Sequence, residues 1–346
     1  MEPVNSTQPK NTGYIKGALG AVGAWGAGQV IASGAGLAAR SAAKVDPQTK
    51  ATLTQLSQDV LEKTGLAKKG VEIITVKDIP SLREAFKNPK EMLNRISDFS
   101  QDEKALKAYK EEFLSSGFLK KLMGKSSEEF NRALDMEANN EAIKGLAQFK
   151  MGLNACFLPN TNKILLPENN LRPSVFHEMG HAMNANFGTV TKQLQKMRGL
   201  STIVPAAVIA TSLLNKKKQG VKRQESEMPT NPIKKAFVKT ADFVKDHAGL
   251  LTGLAFVPML VEEGCATLKG QKALKSLVKD NVDLKNVLKQ VKKTNAIAYA
   301  SYVLAAVSTV AACKVAINLK DRAQDKAYFK AKTAAEIHNG LQGHQG

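Results

Sequence analysis

Residues 177–181 read His177-Glu178-Met179-Gly180-His181. On an α-helix, positions four apart stand one above the other, so the two imidazoles can reach one metal ion. Glu178 projects about 100° around the helix from His177, near enough to hold a water on that ion and take its proton. The chain has five histidines in 346 residues, and two of them fall in this pentapeptide. The pattern predicts a metal-binding helix near the middle of the chain, and the flanking sequence fits one.

Upstream, Asn154-Ala155-Cys156-Phe157-Leu158 and Lys163-Ile164-Leu165-Leu166 flank the turn-rich Pro159-Asn160-Thr161-Asn162, which predicts a β-hairpin. Pro167 and the Asn169-Asn170 pair end the second strand. Asn170 is the expected N-cap of the following helix, and Pro173 suits its first turn. Leu171, Val175, Met179 and Met183 form an apolar stripe beside the ligand face. Gly180 costs a helix interior about 1 kcal/mol, which implies a close approach by another element. Val71 to Val76 reads as a further strand, and Ser126-Ser127-Glu128-Glu129 as a capping box opening a helix towards 141. The expected fold is mainly α (α+β), with a small lobe that holds a short sheet and the metal helix.

Residues 150–190 resemble the zincin metallopeptidases. The resemblance implies zinc held by His177 and His181, with Glu178 as general base and then acid. It also implies an edge strand before the active helix, on which extended substrate pairs by β-augmentation; Lys163 to Leu166, or its neighbour, would serve. The alternative is that the hairpin only covers the core. The His that follows the motif in metzincins is absent, because Ala182 to Val190 contain none. His338 and His344 lie in a Gly/Gln-rich tail. Val261-Glu262-Glu263-Gly264-Cys265-Ala266-Thr267 resembles the second helix of gluzincins, where a ligand Glu is followed three positions on by a small residue and then often by Asp. That pattern assigns the third ligand to Glu263 and puts Thr267 where the family's Asp orients a ligand histidine. Glu262 stays open as the alternative ligand, and a solvated helix start is the reading of the pair without metal. His247, Tyr299 and Tyr302 are the side chains open to an oxyanion role, each with a structural alternative.

Lys plus Arg number 50 against 31 Asp plus Glu, a net charge of +19. Such charge suits nucleic acid or anionic lipid. With 5 % aromatic residues and no stacking platform or nucleic-acid motif, lipid is the expected partner and nucleic acid is not. Four uncharged runs agree: Gly17 to Ala39, Gly199 to Asn215, Ala248 to Val261 and Asn295 to Cys313. The first and last are long enough to span a bilayer, the second is marginal and the third short. Cys156, Cys265 and Cys313 are too few for a disulfide framework.

The expected organisation is an N-terminal Gly/Ala-rich membrane anchor (1–40) and a zincin-like lobe (41–198). A hydrophobic helix hairpin with a basic loop follows (199–265), with no clear fold between 216 and about 233. A Lys-rich helix and a hydrophobic helix come next (266–318), then an amphipathic helix with a flexible tail (319–346). Two crossings between the motif and Glu263 would return the chain to its starting side. That order is similar to the membrane-embedded CAAX prenyl proteases and their bacterial heat-shock counterparts. The implied function is a multi-pass membrane zinc metallopeptidase acting on peptide or protein substrates. The alternative is a non-catalytic membrane scaffold with a structural or degenerate metal site.

Overall fold

The computed structural model describes residues 37–342, apart from 39, 117, 118, 120, 122, 125, 280, 282 and 283. The Gly17 to Ala39 run therefore lies outside the described residues except at 37 and 38, as does His344. The described residues are mostly helical with one small sheet. The described residues divide into two compact units: 37–196 with Met259–Tyr302, and Met197–Pro258 with 303–342.

The first unit is built on three strands, β1 (Glu72–Val76), β2 (Cys156–Leu158) and β3 (Lys163–Pro167), in the order β1-β3-β2. β3 runs parallel to β1, with Ile74 opposite Leu165, and antiparallel to β2, with Phe157 opposite Ile164. Lys163 to Leu166 is thus the central strand and not an edge. Its Ile164, Leu165 and Leu166 are all fully buried, because helices cover both faces of the sheet. The free edges belong to β1 and the three-residue β2.

On one face, Phe157, Ile164 and Leu166 pack against Leu53 and Val60 of α1 (Pro47–Lys63). Val175, Phe176 and Met179, from the helix carrying the His-Glu-x-x-His pattern, join the same cluster. On the other face, Ile74, Val76, Leu158 and Leu165 meet four residues of two helices. These are Ala105 and Ala108 of α2 (Glu103–Leu114) and Leu146 and Phe149 of α3 (Glu128–Lys150). Each buried Leu contributes about 1.5–3 kcal/mol. Ser127 caps α3, accepting from the Phe130 N–H, and the helix continues to Lys150. There the Lys150 ammonium meets the buried Asp102 carboxylate at 2.5 Å. Glu112 holds the β2–β3 turn by accepting from the backbone of Asn160 (2.9 Å) and Thr161 (3.0 Å).

The entry to the helix that carries the His-Glu-x-x-His pattern corrects one expectation. Asn170 is not its N-cap; its Nδ2 donates to Asp78 (2.5 Å) and to the Ile79 carbonyl (3.1 Å). Asp78 is buried just after β1, and burial lifts its pKa against the pull of the Asn170 and Asn169 donors. A buried carboxylate needs those donors more than the helix needs a cap. The chain enters instead through a 3-10 turn, Arg172–Ser174, which contains Pro173 and follows Leu171 at φ 56°. The helix itself, α4, spans Val175–Phe187.

α5 (Thr189–Lys196) closes this part of the first unit. The second unit contains α6 (Leu200–Leu214), α7 (Pro232–Asp246), the start of α8 (Ala248–Val278), and α9 (Lys285–Gln342) from Val303 onward. α8 runs unbroken through 265 and 266, and α9 through 318 and 319. Val208, Ala248, Cys313 and Ile317 form this unit's core. The 216–247 segment is more ordered than its charge suggested. Lys217 pairs with Asp246 at 2.6 Å, Arg223 with Asp242 at 3.1 Å, and the buried Lys245 with Asp321 at 2.6 Å.

Three helical stretches are long and apolar enough to cross a membrane: Thr189–Leu214, Ala248–Val278 and Lys285–Ala334. They contain the three later uncharged runs almost entirely. Ile203, Leu254, Leu268 and Val307 on them are all more than half exposed.

Candidate metal centre

α4 and α8 meet backbone to backbone. A Cβ placed on Gly180 would stand 2.5 Å from the Ala266 carbonyl carbon, and one on Gly270 would stand 2.6 Å from that of Phe176. Only glycine fits at either place, one on each helix, and the pair fixes where the helices cross. Gly180 is the residue whose presence implied a close approach, and the approaching element is α8.

The crossing brings together residues 86 positions apart. His177 Nε2 lies 3.0 Å from Glu263 Oε2 and 3.0 Å from His181 Nε2. His181 Nε2 lies 3.3 Å from the same Glu263 oxygen. Ligands on a tetrahedral ion with bonds of 2.0–2.1 Å are separated by about 3.3–3.4 Å, so this triangle is close to the size such an ion requires. His177, His181 and Glu263 form a buried group able to hold a metal ion.

The outward ring nitrogens explain why the inner ones converge. His181 Nδ1 donates to the Glu262 carboxylate at 2.8 Å, and Asn184 Nδ2 donates to the same oxygen at 2.9 Å. His177 Nδ1 lies 3.0 Å from Thr267 Oγ1. An ionised carboxylate only accepts, so His181 carries its proton on Nδ1 and turns the Nε2 lone pair inward. Two imidazole nitrogens and a carboxylate oxygen then face each other in a dry interior, an arrangement that a cation or a proton must reconcile. Burial opposes a charge on His181, but hydrogen bonds to Glu262 and Glu263, with the Glu178 charge nearby, outweigh it and push its pKa up to about 10. A proton therefore competes with any cation for these donors.

Glu262 sits on the outer nitrogen of His181, away from the donor triangle, while Glu263 faces both rings. Neither begins a solvated helix, since both are 0 % exposed. Thr267 meets the outer nitrogen of His177, the contact that its place in the pattern implied. Glu178 is buried within the same helix, close enough for its charge to act on His181. His247 belongs to the other unit, where it is exposed and its Nδ1 meets the Phe243 carbonyl at 3.0 Å. The Tyr299 ring packs at ordinary distance over Gly264.

Sequence reasoning missed Asn184 and the outer role of Glu262. Asn184 stands three residues after His181, one helical turn along the same face, and that spacing was the available signal. The chain matches no protein-family model, no curated protein and no solved structure.

Proposed function

We propose that this protein is a multi-pass membrane zinc metallopeptidase. The observation that supports the reading best is the convergence of both histidines of the His-Glu-x-x-His helix with Glu263, with Glu178 buried on the same helix beside them. Two imidazoles and one carboxylate are a donor set that suits zinc, with a fourth position left for water or substrate. Zinc, when bound, supplies a Lewis acid and lowers the pKa of water to about 7. Glu178 takes the proton of the attacking water and returns it to the leaving amine. Thr267 and Glu262, the latter steadied by Asn184, hold the rings in the orientation that points Nε2 inward. The three membrane-length helices support the multi-pass reading, in which α6 and the start of α8 are two crossings between His181 and Glu263.

A second reading is favoured by burial. Glu178 is 6 % exposed and His181 4 %, the closed character of a structural metal site in a non-catalytic scaffold. One experiment separates the two. The detergent-solubilised full chain is expected to carry about one zinc, lost in His177→Ala. Glu178→Gln is expected to keep the zinc while hydrolysis of a peptide mixture falls by about 10² or more. Equal hydrolysis in wild type and Glu178→Gln refutes the mechanism; zinc in both with hydrolysis in neither selects the scaffold.

A further inference from the structure

α7 carries an apolar strip that its own unit leaves uncovered. Ile233, Phe237 and Phe243 are 68, 72 and 54 % exposed. At 100° per residue they share one face with the exposed Ala236 and Thr240. The opposite face is locked inward: Asp242 binds Asn215 and Arg223, and Lys245 binds Asp321. The roll of the helix is thereby set, with the strip turned outward. Lys234 and Lys239, both exposed, flank the strip on its two sides. A single residue, His247, separates α7 from α8, a helix long and apolar enough to cross a membrane.

We propose that α7 lies in the plane of the membrane interface, its strip sunk into the boundary between headgroups and acyl chains of an anionic leaflet. A helix tethered by one residue to the end of a span stands at the depth where headgroups begin. Two phenylalanines and an isoleucine give it an apolar face suited to insertion by about 5–10 Å. Lys234 and Lys239 sit at the rims, where their stems lie along the acyl chains and their ammonium groups reach lipid phosphates. A protein partner would have to supply an apolar groove rimmed by acids, whereas an anionic lipid surface presents both chemistries without a matched shape. The inference rests on the reading that α8 and α9 span the bilayer.

The test uses the full chain in vesicles of mixed zwitterionic and anionic phospholipid. Trp25, the sole tryptophan, is changed to Phe, and a reporter is introduced as Phe237→Trp or, within α9, as Val307→Trp. The Phe237→Trp emission is expected to be quenched by lipids brominated high on the acyl chain and to resist aqueous iodide. Val307→Trp should respond to lipids brominated near the bilayer centre. Iodide quenching at Phe237→Trp, with Val307→Trp still quenched by lipid, overturns the inference and leaves the spans standing. Insensitivity of Phe237→Trp to both quenchers shows a protein-covered strip and equally overturns it. Lipid quenching at neither position overturns the spans and the inference together. Lys234→Gln with Lys239→Gln should weaken the dependence of shallow quenching on anionic lipid; an unchanged dependence refutes the charge component.

Discussion

Gly180→Ala adds one methyl group at the point where the two helices carrying the candidate metal ligands touch. Its Cβ would stand 2.5 Å from the Ala266 carbonyl carbon and 2.7 Å from the Ala266 Cα. Carbon atoms rest at about 3.5 Å or more, so α8 must retreat by about 1 Å. Glu263 lies three residues before Ala266, on the adjacent turn, and retreats with it. Metal–oxygen bonds tolerate about 0.2 Å, so the carboxylate leaves the ion's reach. Losing one of three protein ligands should weaken zinc binding by more than the roughly 10–100-fold that outer partners are worth. The obstacle is backbone and not a flexible side chain, so the cost reaches or exceeds the usual overpacking range of about 1–3 kcal/mol, against about 1 kcal/mol returned by helix propensity, and stability falls as well. Gly264→Ala is the matched control, because its Cβ would meet nothing nearer than the Tyr299 ring at 3.7 Å. It gains the same helix propensity and should bind zinc as wild type does. Competition against a chelator of known affinity, with thermal unfolding alongside, measures both effects. Equal zinc affinity in Gly180→Ala and Gly264→Ala would show that the crossing does not set the donor geometry.

Glu263→Ala should abolish stoichiometric zinc, whereas Glu262→Gln should lower affinity by only about 10–100-fold, read in the same chelator titration. Equal losses would mean that the two carboxylates have been assigned the wrong roles. The pH response follows from His181, whose pKa rises from 6.5 to about 10 in the metal-free fold. The folded state then holds a proton that the unfolded chain releases, so metal-free stability is greatest below about pH 6.5 and declines as pH rises towards 10. Zinc must displace that proton, so its affinity should climb by up to about tenfold per pH unit across the same window. A flat pH profile of zinc affinity would contradict this. Asp102→Ala strands the buried Lys150 ammonium and should cost about 3–5 kcal/mol, measured by chemical denaturation of the solubilised protein. A cost below about 1 kcal/mol would show that Lys150 finds another partner.

The parts of the molecule legible in its sequence are those written in local chemistry. The His-Glu-x-x-His spacing, the hairpin around Pro159–Asn162 and the long uncharged runs each announce themselves within a few turns of chain. What escaped depends on partners far away. Asn170 reads as a cap until Asp78, 92 residues earlier, claims its amide. β3 reads as an edge because a hairpin shows only one neighbour; its second, β1, is parallel and arrives from far upstream. The stretch from 216 to about 233 shows no clear fold in sequence because its order comes from ion pairs with α7, Lys217 to Asp246 and Arg223 to Asp242, which no local periodicity records. Glu262 and Glu263 are alike in sequence and stand about 100° apart on the helix. The resemblance of 261–267 to a gluzincin helix favoured Glu263, and the crossing at Gly180 and Gly270 is what turns that carboxylate to the rings.

The 86-residue separation of His177 and Glu263 has a consequence for the life of the chain. Everything between them, including α6 and α7, must be synthesised and placed before the third donor exists. An ion joining the two ends crosslinks a loop whose closure entropy is worth about 4–5 kcal/mol by the relation used for covalent crosslinks. A nascent or half-inserted chain owns a bare histidine pair, a weak cation trap. The donor triangle is therefore complete only once the chain through Glu263 has been made and α8 has crossed α4.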